Sequence, residues 1–172
     1  MSGFKKGVFI PENTYKLLDH KKIVYKSSYE QRFMNYLDKT PAVKQWGYEL
    51  IKIKYFDEVQ QKERLYFTDF IAKIENANGE LKTYIIEIKP YAQTQFLREG
   101  KDIVLPPEPK RKTKKALQNY NYEVGMILNN NAKWKSAILF CKKQGWEFKV
   151  LTENELFWWR IYERPCFEIT TR

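Results

Sequence analysis

The fold is decided by the stretch Thr83-Tyr84-Ile85-Ile86-Glu87-Ile88-Lys89-Pro90. Most of its residues are β-branched, aromatic or aliphatic, which predicts a buried strand. Pro90 ends this strand because proline has no backbone N–H to donate to a neighbouring strand. Glu87 and Lys89 are two residues apart, so their side chains share one face at a spacing of about 6.6 Å. A carboxylate and an ammonium therefore project together from the end of a hydrophobic strand.

Two interpretations of this pair stay open from the stretch alone. Glu87 and Lys89 could form a simple ion pair on the exposed end of an edge strand. They could instead belong to a functional site, since buried charges are costly unless they are paired or bound to a metal. The rest of the chain has to decide between the two.

Length and charge favour a single basic domain. The chain has 172 residues, of which 43% are hydrophobic and 16% aromatic, enough for one domain with a real core. It carries 31 Lys and Arg against 21 Asp and Glu, a net charge of +10. This excess favours a polyanionic partner, most simply a nucleic acid. A membrane is not expected, because the sequence has no basic amphipathic helix, no spanning apolar run and no signal peptide.

Cysteine and histidine usage excludes several classes of catalysis. Cys141 and Cys166 are too few for a disulfide framework or a cysteine-rich zinc site, and we expect free thiols in a reducing cytoplasm. His20 is the only histidine, which argues against Ser-His-Asp, Cys-His and multi-histidine zinc chemistry. Any catalysis must then depend on carboxylates and lysines.

The chain divides into an N-terminal arm at 1–26, a main domain at 27–157 and a C-terminal extension at 158–172. The arm has no clear periodicity and a basic end, so it could follow a nucleic acid backbone or pack loosely on the domain. The domain begins with a helix that runs to about Thr40. Ser27 and Glu30 have capping-box spacing at its start. Glu30 also lies at the edge of the apolar stripe, so it could be a cap or could point towards the core.

Strands are predicted at 46–56 and 64–74, before the strand of the opening stretch. Asn76-Ala77-Asn78-Gly79 is a hairpin turn, so the two strands beside it are antiparallel. Asp69 lies ten residues before Gly79, and Glu87 lies eight after it. These two acids are therefore expected at similar heights on neighbouring strands.

After a loop at 91–110, the pattern predicts two helices, a strand and a further helix. A basic run opens the first helix, and it could be a solvated face or a phosphate-contacting one: Lys110, Arg111, Lys112, Lys114, Lys115. Asn129-Asn130-Asn131 is expected to break this helix, and the second runs from about Ala132 to Lys143. Gly145 ends it, a strand follows at 146–151, and a capping-box pattern at Thr152 begins the last helix. The result is an α/β fold in the order α-β-β-β-α-α-β-α, with a mixed central sheet flanked by helices.

Three acids interrupt otherwise hydrophobic faces: Glu30, Asp69 and Glu87. Convergent carboxylates repel one another unless a cation joins them, and oxygen-rich sites suit Mg²⁺ or Mn²⁺. Phosphodiester hydrolysis needs a metal that polarises the phosphoryl oxygen and activates water. It also needs a cation near the developing negative charge, which Lys89 can supply.

These residues resemble the PD-(D/E)xK nuclease motif, in which an aspartate precedes Glu-x-Lys at the end of the next strand. The wider pattern is similar to the TnsA-like branch of that superfamily, which has a restriction-endonuclease-like core. The similar segments include Ser28-x-Glu30-x-x-Phe33, Tyr66-x-x-Asp69-Phe70, Ile86-Glu87-Ile88-Lys89-Pro90 and Trp134-Lys135-x-Ala137. The resemblance covers roughly residues 22–157, and it is specific as a pattern although each motif alone is weak.

The resemblance implies an endodeoxyribonuclease that uses Mg²⁺, with Mn²⁺ as a substitute. Glu30, Asp69, Glu87 and the Ile88 carbonyl would bind the metal, and Lys89 would position or activate water. Thr68 stands where the family has a structural proline, which is the one departure from the motif. The chain lacks room for the second domain of transposon-end endonucleases, which favours the small head-completion nucleases of large tailed phages. DNA and phage head or portal proteins would be the partners, in the cytoplasm of an infected cell or on the virion.

Three hypotheses about function follow from the sequence. The first is a metal-dependent DNA endonuclease, and the intact set of acids with Lys89 favours it. The second is a nucleic-acid-binding module that kept the fold and lost the chemistry. The third is a structural head or tail component without turnover. The sequence assigns no role to the 96–109 loop or to the tail after residue 157.

Overall fold

The computed structural model describes residues 6–94, 103 and 105–158, with the backbone alone for 157 and 158. The described chain contains eight strands and three α-helices: β1 (Gly7–Phe9), β2 (Ile23–Tyr25), α1 (Ser28–Lys39), β3 (Val43–Tyr48), β4 (Lys52–Asp57), β5 (Lys62–Phe67), β6 (Phe70–Glu75), β7 (Leu81–Ile88), α2 (Lys114–Gln144), β8 (Glu147–Leu151) and α3 (Glu153–Trp158). Two short 3-10 helices lie at Thr14–Lys16 and Tyr91–Gln93. None of the described helices is long and apolar enough to cross a membrane.

The central sheet has four strands in the order β3-β6-β7-β8. Strand β6 is antiparallel to both of its neighbours, β3 and β7, whereas β8 is parallel to β7. The parallel pair needs a long crossover connection, and α2 lies within it. The predicted α/β fold with a mixed sheet flanked by helices is therefore confirmed.

Both faces of the central sheet are buried, which explains the almost continuous apolar run of β7. Residues alternate between the two faces of a strand. On one face, Ile86 packs in a large core with Phe33 and Leu37 of α1. On the other, Ile85 packs with Cys141 of α2. Burial raises the pKa of the Cys141 thiol to about 11, so this cysteine behaves as a core residue.

The strands predicted at 46–56 and 64–74 are wrong as single elements, because each is divided in two. Glu49 adopts a left-handed conformation with φ 51°, which ends β3 before β4 begins. The Glu49 N–H donates to the Asp69 carbonyl at 2.9 Å, and the Thr68 N–H donates to the Ile51 carbonyl at 3.1 Å. The segment that follows β3 and the segment that precedes β6 therefore leave the central sheet at the same height. Beyond this point β4 and β5 pair only with each other, as a separate two-stranded ribbon.

The predicted helix break at Asn129-Asn130-Asn131 is also wrong, since α2 is one helix of 31 residues. The Asn129 side chain accepts a hydrogen bond from the Tyr55 hydroxyl at 3.1 Å and donates to Asp57 at 3.2 Å. These bonds to the ribbon occupy an amide that would otherwise compete with the helix backbone. The helix begins at Lys114 rather than at Lys110, with Thr113 as its cap. Gly145 ends it at φ 69°, as predicted.

Residues 6–26, for which the sequence predicted an arm, include two short strands and pack on the domain. Strands β1 and β2 pair with each other, and their residues Phe9 and Ile23 are buried in the large core. The buried Asp38 carboxylate accepts a hydrogen bond from the Glu12 N–H at 2.9 Å. Lys16 Nζ donates to the Asp38 and Thr40 carbonyls at 2.7 and 2.8 Å. Strands of three residues are too short for a recognisable alternation in the sequence.

The predicted starts of both helices are confirmed, with a capping box at α3 and a variant at α1, where the Glu30 carboxylate accepts from the Lys26 N–H rather than from the Ser27 N–H. The Ser27 hydroxyl accepts from the Glu30 N–H at 3.1 Å at the start of α1. At the start of α3, the Thr152 N–H donates to the Glu155 carboxylate at 2.7 Å. The predictions for Cys166 and for the tail after Trp158 fall outside the described residues, as does most of the 96–109 loop.

Candidate active site

A cleft of about 590 Å³ opens where the ribbon leaves the central sheet. Five of the residues singled out from the sequence line it: Glu30, Asp69, Glu87, Ile88 and Lys89. They come from α1, from the junction of β5 and β6, and from the end of β7. The fold therefore brings together residues that are up to 59 positions apart in the sequence, from 30 to 89.

Asp69 and Glu87 lie side by side on neighbouring strands, as the hairpin symmetry predicted. Phe70 pairs with Ile86 in the antiparallel register, so the next pair along these strands is Asp69 with Glu87. Strand alternation places both acids, together with Lys89, on the α2 side of the sheet. The pairing thus fixes two carboxylates and one ammonium on a single face.

The Asp69 carboxylate lies in an unfavourable electrostatic environment. Burial and the nearby charge of Glu87 raise its pKa well above the ordinary range of an aspartate. The Lys89 ammonium and a hydrogen bond of 2.8 Å from the Ile88 N–H oppose this rise but do not cancel it. A divalent cation beside Asp69 would favour the charged form of its carboxyl group.

Glu87 is held in place from both sides, with only 3% of its surface exposed. Lys89 Nζ lies 2.9 Å from one carboxylate oxygen, and the Tyr66 hydroxyl donates to the other. Burial and the charge of Glu87 raise the pKa of Tyr66, so this hydroxyl remains a donor at neutral pH. The orientation of Glu87 is therefore fixed before any ligand binds.

Lys89 remains positively charged within the cleft. Its burial opposes the charged form, but Glu87, Asp69 and Glu30 outweigh this effect and raise its pKa above the ordinary value for lysine. About a quarter of its side chain is exposed, 26%. An ammonium group with this charge and access can meet negative charge that develops on a substrate in the cleft.

Glu30 reaches the cleft from the opposite layer and is engaged in local hydrogen bonds. One carboxylate oxygen accepts from the Tyr48 hydroxyl at 2.7 Å and from the Lys26 N–H at 2.8 Å. The other lies 3.0 Å from the Ser27 hydroxyl. Both interpretations of Glu30 thus have structural support, since it caps α1 and also lines the cleft.

The donor set has the chemistry of a site for a hard divalent cation. Asp69 and Glu87 occupy adjacent positions on neighbouring strands, and Ile88 lines the same cleft. Oxygen ligands of this kind suit Mg²⁺ and Mn²⁺. Within the described residues, however, no group of three or more His, Cys, Asp or Glu side chains is arranged to hold a metal ion. The Glu30 carboxylate is engaged with Tyr48, Ser27 and the Lys26 N–H.

The sequence did not assign six other polar residues to the cleft that they line: Lys26, Glu49, Tyr55, Arg64, Tyr66 and Lys133. Lys133 could have been found, since it lies four residues before Ala137 and eight before Cys141 on the buried stripe of α2. A lysine at that spacing is directed towards the sheet. Tyr66 belongs to a segment that resembles the family motif, but its role and that of Arg64 could not be predicted, because the path of β5 depends on where the ribbon leaves the sheet.

The predicted DNA-binding run lies elsewhere on the molecule. Its five residues are exposed around the start of α2, and none of them lines the cleft: Lys110, Arg111, Lys112, Lys114, Lys115. Lys112 pairs with Glu108 at 3.2 Å. Lys114 and Lys115 lie in the first turn of α2, which contains no acidic residue, so their charges are next to the positive end of the helix dipole, an unfavourable position for a cation.

Comparison with known proteins supports a nuclease assignment. The profile of the family described as TnsA-like endonuclease N terminal matches residues 40–153. The head completion nuclease of Enterobacteria phage T4 is 35% identical over 151 residues, which cover 87% of this chain and 92% of that protein. Both matches include Asp69, Glu87 and Lys89. The chain therefore belongs to the TnsA-like endonuclease family and is a nuclease.

Proposed function

We propose that this nuclease is a metal-dependent endonuclease that hydrolyses phosphodiester bonds in DNA and acts in the completion of phage heads. The observation that carries the proposal is the placement of Asp69, Glu87 and Lys89 on one face of the sheet at the base of an open cleft. Mg²⁺ is the proposed cofactor, and we expect Mn²⁺ to support activity as well.

Asp69, Glu87 and the Ile88 carbonyl would hold the metal, and Glu30 would join them or orient its water ligands. A bound cation would polarise the phosphoryl oxygen and lower the pKa of an attacking water molecule. Tyr66 and Lys89 fix Glu87 through its two oxygens, so the carboxylate requires little reorganisation on binding.

Lys89 has a separate task in this proposal. Because its neighbours raise its pKa, it stays protonated and can donate hydrogen bonds. It would orient the attacking water and stabilise negative charge that develops on the phosphoryl oxygens. An ammonium has no lone pair, so Lys89 is not a metal ligand.

DNA is the proposed substrate because the chain is strongly basic, with a net charge of +10. The exposed lysines and arginine at the start of α2 gain a favourable partner if a phosphate backbone lies across them. The similarity to a phage protein named as a head completion nuclease supports a role at phage heads. Head or portal proteins would then be partners, and the protein would act in the infected cell or on the virion.

The sequence left open a DNA-binding component without turnover, which the assignment of the chain to an endonuclease family argues against. The described residues contain no preformed trio of acidic ligands, so a nicking assay tests this alternative directly. The presence of Asp69, Glu87 and Lys89 together in the cleft argues for the catalytic function.

Nicking of supercoiled plasmid separates the two functions. The parent protein is expected to nick plasmid in Mg²⁺ or Mn²⁺ and to lose this activity in EDTA. Salt-sensitive binding of DNA without nicking in either metal would favour the second function. Equal nicking with and without EDTA would contradict the metal dependence.

A further inference from the structure

We infer that Lys133 and Arg64 form a phosphate-binding subsite in the wall of the cleft, which holds the DNA backbone next to the phosphate that is cut. This inference rests on the proposed function and deepens it, since it states how the substrate strand is positioned. The two residues come from α2 and β5, elements that sequence reasoning did not connect with the catalytic acids.

Lys133 is held in the cleft by aromatic rings rather than by an acid. Its Nζ lies 5.8 Å from the ring centroid of Tyr55 and 5.9 Å from that of Tyr66. No carboxylate among the described residues lies within ion-pair distance of Lys133, whereas Lys89 is paired with Glu87. The aromatic faces support the cation, and its hydrogen-bond donors remain available to a ligand.

The electrostatic environment of Lys133 favours the binding of an anion beside its ammonium group. Burial lowers the pKa of Lys133, and the charge of Lys89 lowers it further, whereas Glu87 opposes this effect. The other two cations in this wall already have carboxylate partners, because Lys89 pairs with Glu87 and Arg64 pairs with Asp57. A phosphate beside Lys133 would supply the partner that this half-buried lysine lacks and would favour its charged form.

The buried carboxylate of Asp57 orients the Arg64 side chain, which lines the cleft. Its guanidinium donates to Asp57 at 3.2 Å, and 43% of the side chain remains exposed. Asp57 is itself fixed by the N–H groups of Val59 and Gln60 and by Asn129. A guanidinium has five N–H donors in a planar fork that matches a phosphate. One edge of Arg64 is thus anchored to Asp57, and the rest lines the cleft.

The positions of Lys133 and Arg64 in the cleft indicate which phosphate they bind. Lys133 and Lys89 line the same cleft, and Tyr66 connects them because its ring lies under Lys133 while its hydroxyl bonds to Glu87, the partner of Lys89. In this proposal Lys89 acts on the phosphate that is cut, and Lys133 binds the phosphate next to it. The subsite would contribute binding that is the same before and during the reaction, which affects KM rather than kcat.

Lys133→Met is the primary test, because an unbranched methionine can keep its packing against the tyrosine rings. Lys135→Met is the matched control, since Lys135 is exposed on the same helix. With a short duplex as substrate, Lys133→Met is expected to raise KM by about tenfold, the value of one hydrogen bond to a charged group. Its kcat should stay within about twofold of the parent, whereas Lys89→Met should lower kcat.

Replacement of single phosphates by neutral methylphosphonates shows which phosphate is bound. In EDTA, one substitution beside the cleavage site should weaken binding by the parent and by Lys135→Met but not by Lys133→Met. Lys133→Arg, a second variant that keeps the charge, should remain sensitive to that substitution. Arg64→Gln should reduce the log–log salt slope of DNA binding by about one unit.

The outcomes separate this inference from the proposed function. Equal KM and equal methylphosphonate sensitivity in Lys133→Met and Lys135→Met would overturn the subsite even if the parent nicks DNA. If the parent does not nick DNA, the proposed function fails, and the binding measurements in EDTA still decide the subsite. If Lys133→Met does not fold, the decision passes to Lys133→Arg and Arg64→Gln in the same binding measurements. Loss of the position-specific effect in Lys133→Arg, or a full position-specific effect together with an unchanged salt slope in Arg64→Gln, would then overturn it.

Discussion

Asp69 combines a structural cost with its proposed catalytic use. Its pKa in the folded protein is raised well above the ordinary value because of burial and Glu87. The folded state therefore holds a proton more tightly than the unfolded state does. In the absence of metal, stability is lost as pH rises from the ordinary aspartate pKa, about 3.9, through the raised value.

Asp69→Asn is accordingly expected to melt at the same or a higher temperature than the parent at pH 7 in EDTA. The asparagine carries no charge beside Glu87, and its oxygen can still accept the bond from the Ile88 N–H. The difference should vanish near pH 3, where Asp69 itself is protonated. Thermal unfolding of both proteins at several pH values measures this difference in melting temperature.

Asp57→Asn provides the control of opposite sign. Hydrogen bonds from Gln60, Arg64 and Val59 lower the pKa of Asp57, so its charge stabilises the fold above the ordinary pKa of an aspartate. This variant should melt at a lower temperature than the parent at pH 7. A destabilised Asp69→Asn at pH 7 would contradict the electrostatic account of Asp69.

Some residues of the site could be identified from the sequence, and others could not. Glu87 and Lys89 stood out because a charged pair at the end of an apolar strand has few explanations. Asp69 was found from the symmetry of the hairpin about Gly79, which the register confirms. Tyr66 could not be assigned, because its hydrogen bond to Glu87 requires the ribbon to turn back over the sheet.

At the level of single elements, a substitution in helix α1 tests whether Glu30 acts only at the start of that helix. Glu30→Gln is expected to keep the melting temperature within a few degrees, because removal of a cap costs about 1 kcal/mol. An amide is a poorer ligand for a hard cation, so plasmid nicking should fall by about tenfold or more. Excess Mn²⁺ is expected to restore part of it.

Ser27→Ala is the matched control for helix α1. It removes the hydroxyl that accepts from the Glu30 N–H but leaves the carboxylate in the cleft. The melting temperature should fall while nicking is retained. Parent-like nicking by Glu30→Gln would mean that Glu30 is a cap and that Asp69, Glu87 and water hold the metal.

A substitution in helix α2 tests whether the hydrogen bonds of Asn129 hold the ribbon against the domain. Alanine has the higher helix propensity, so Asn129→Ala should stabilise an isolated helix by a few tenths of a kcal/mol. In the folded protein it removes the bonds to Tyr55 and Asp57. The buried Asp57 then loses a partner, and we expect a net loss of about 1–3 kcal/mol in the free energy of unfolding.

Denaturant unfolding of Asn129→Ala beside Asn131→Ala would measure this tie. Asn131 lies in the same asparagine run, and no hydrogen bond of its side chain is found within the described part of the chain, so its replacement should be neutral or slightly stabilising. Equal stability of the two variants would show that the hydrogen bonds of Asn129 to the ribbon contribute little.

Elements were predicted well where local signals decide and poorly where tertiary contacts do. The caps that begin α1 and α3, the helix end at Gly145 and the hairpin turn depend on residues close together in the sequence, and all are present. The break of β3 from β4 depends on Glu49 and on its bond to the Asp69 carbonyl. The continuity of α2 depends on Asn129 and the ribbon. Neither interaction leaves a periodic trace in the sequence.

At the scale of the whole molecule, positive charge should dominate binding to DNA. Joint replacement of Lys110, Arg111, Lys112, Lys114 and Lys115 by glutamine is expected to weaken DNA binding in EDTA. If this run neutralises about four phosphates, the log–log salt slope should fall by roughly 3 to 4 units in the variant. A slope equal to that of the parent would mean that this run is only a solvated helix face.

The α/β class and the mixed sheet followed from the order of elements, and the resemblance supplied the function. The cleft itself could not be predicted, because its walls come from α1, the ribbon and α2 at once. Lys133 and Arg64 belong to the site only because Asn129 and Asp57 join the ribbon to the helix.

Whether Asp69 and Glu87 form a metal-dependent nuclease site is decided by the nicking rate of Glu87→Gln at saturating Mg²⁺. Glu147→Gln is the matched control, since Glu147 is a partly exposed acid of β8 that pairs with Lys82 and Lys149. The account predicts a loss of at least about a hundredfold for Glu87→Gln, because several kcal/mol of charge stabilisation depend on the metal, and parent-like nicking for Glu147→Gln. Parent-like nicking by a folded Glu87→Gln variant would contradict the account.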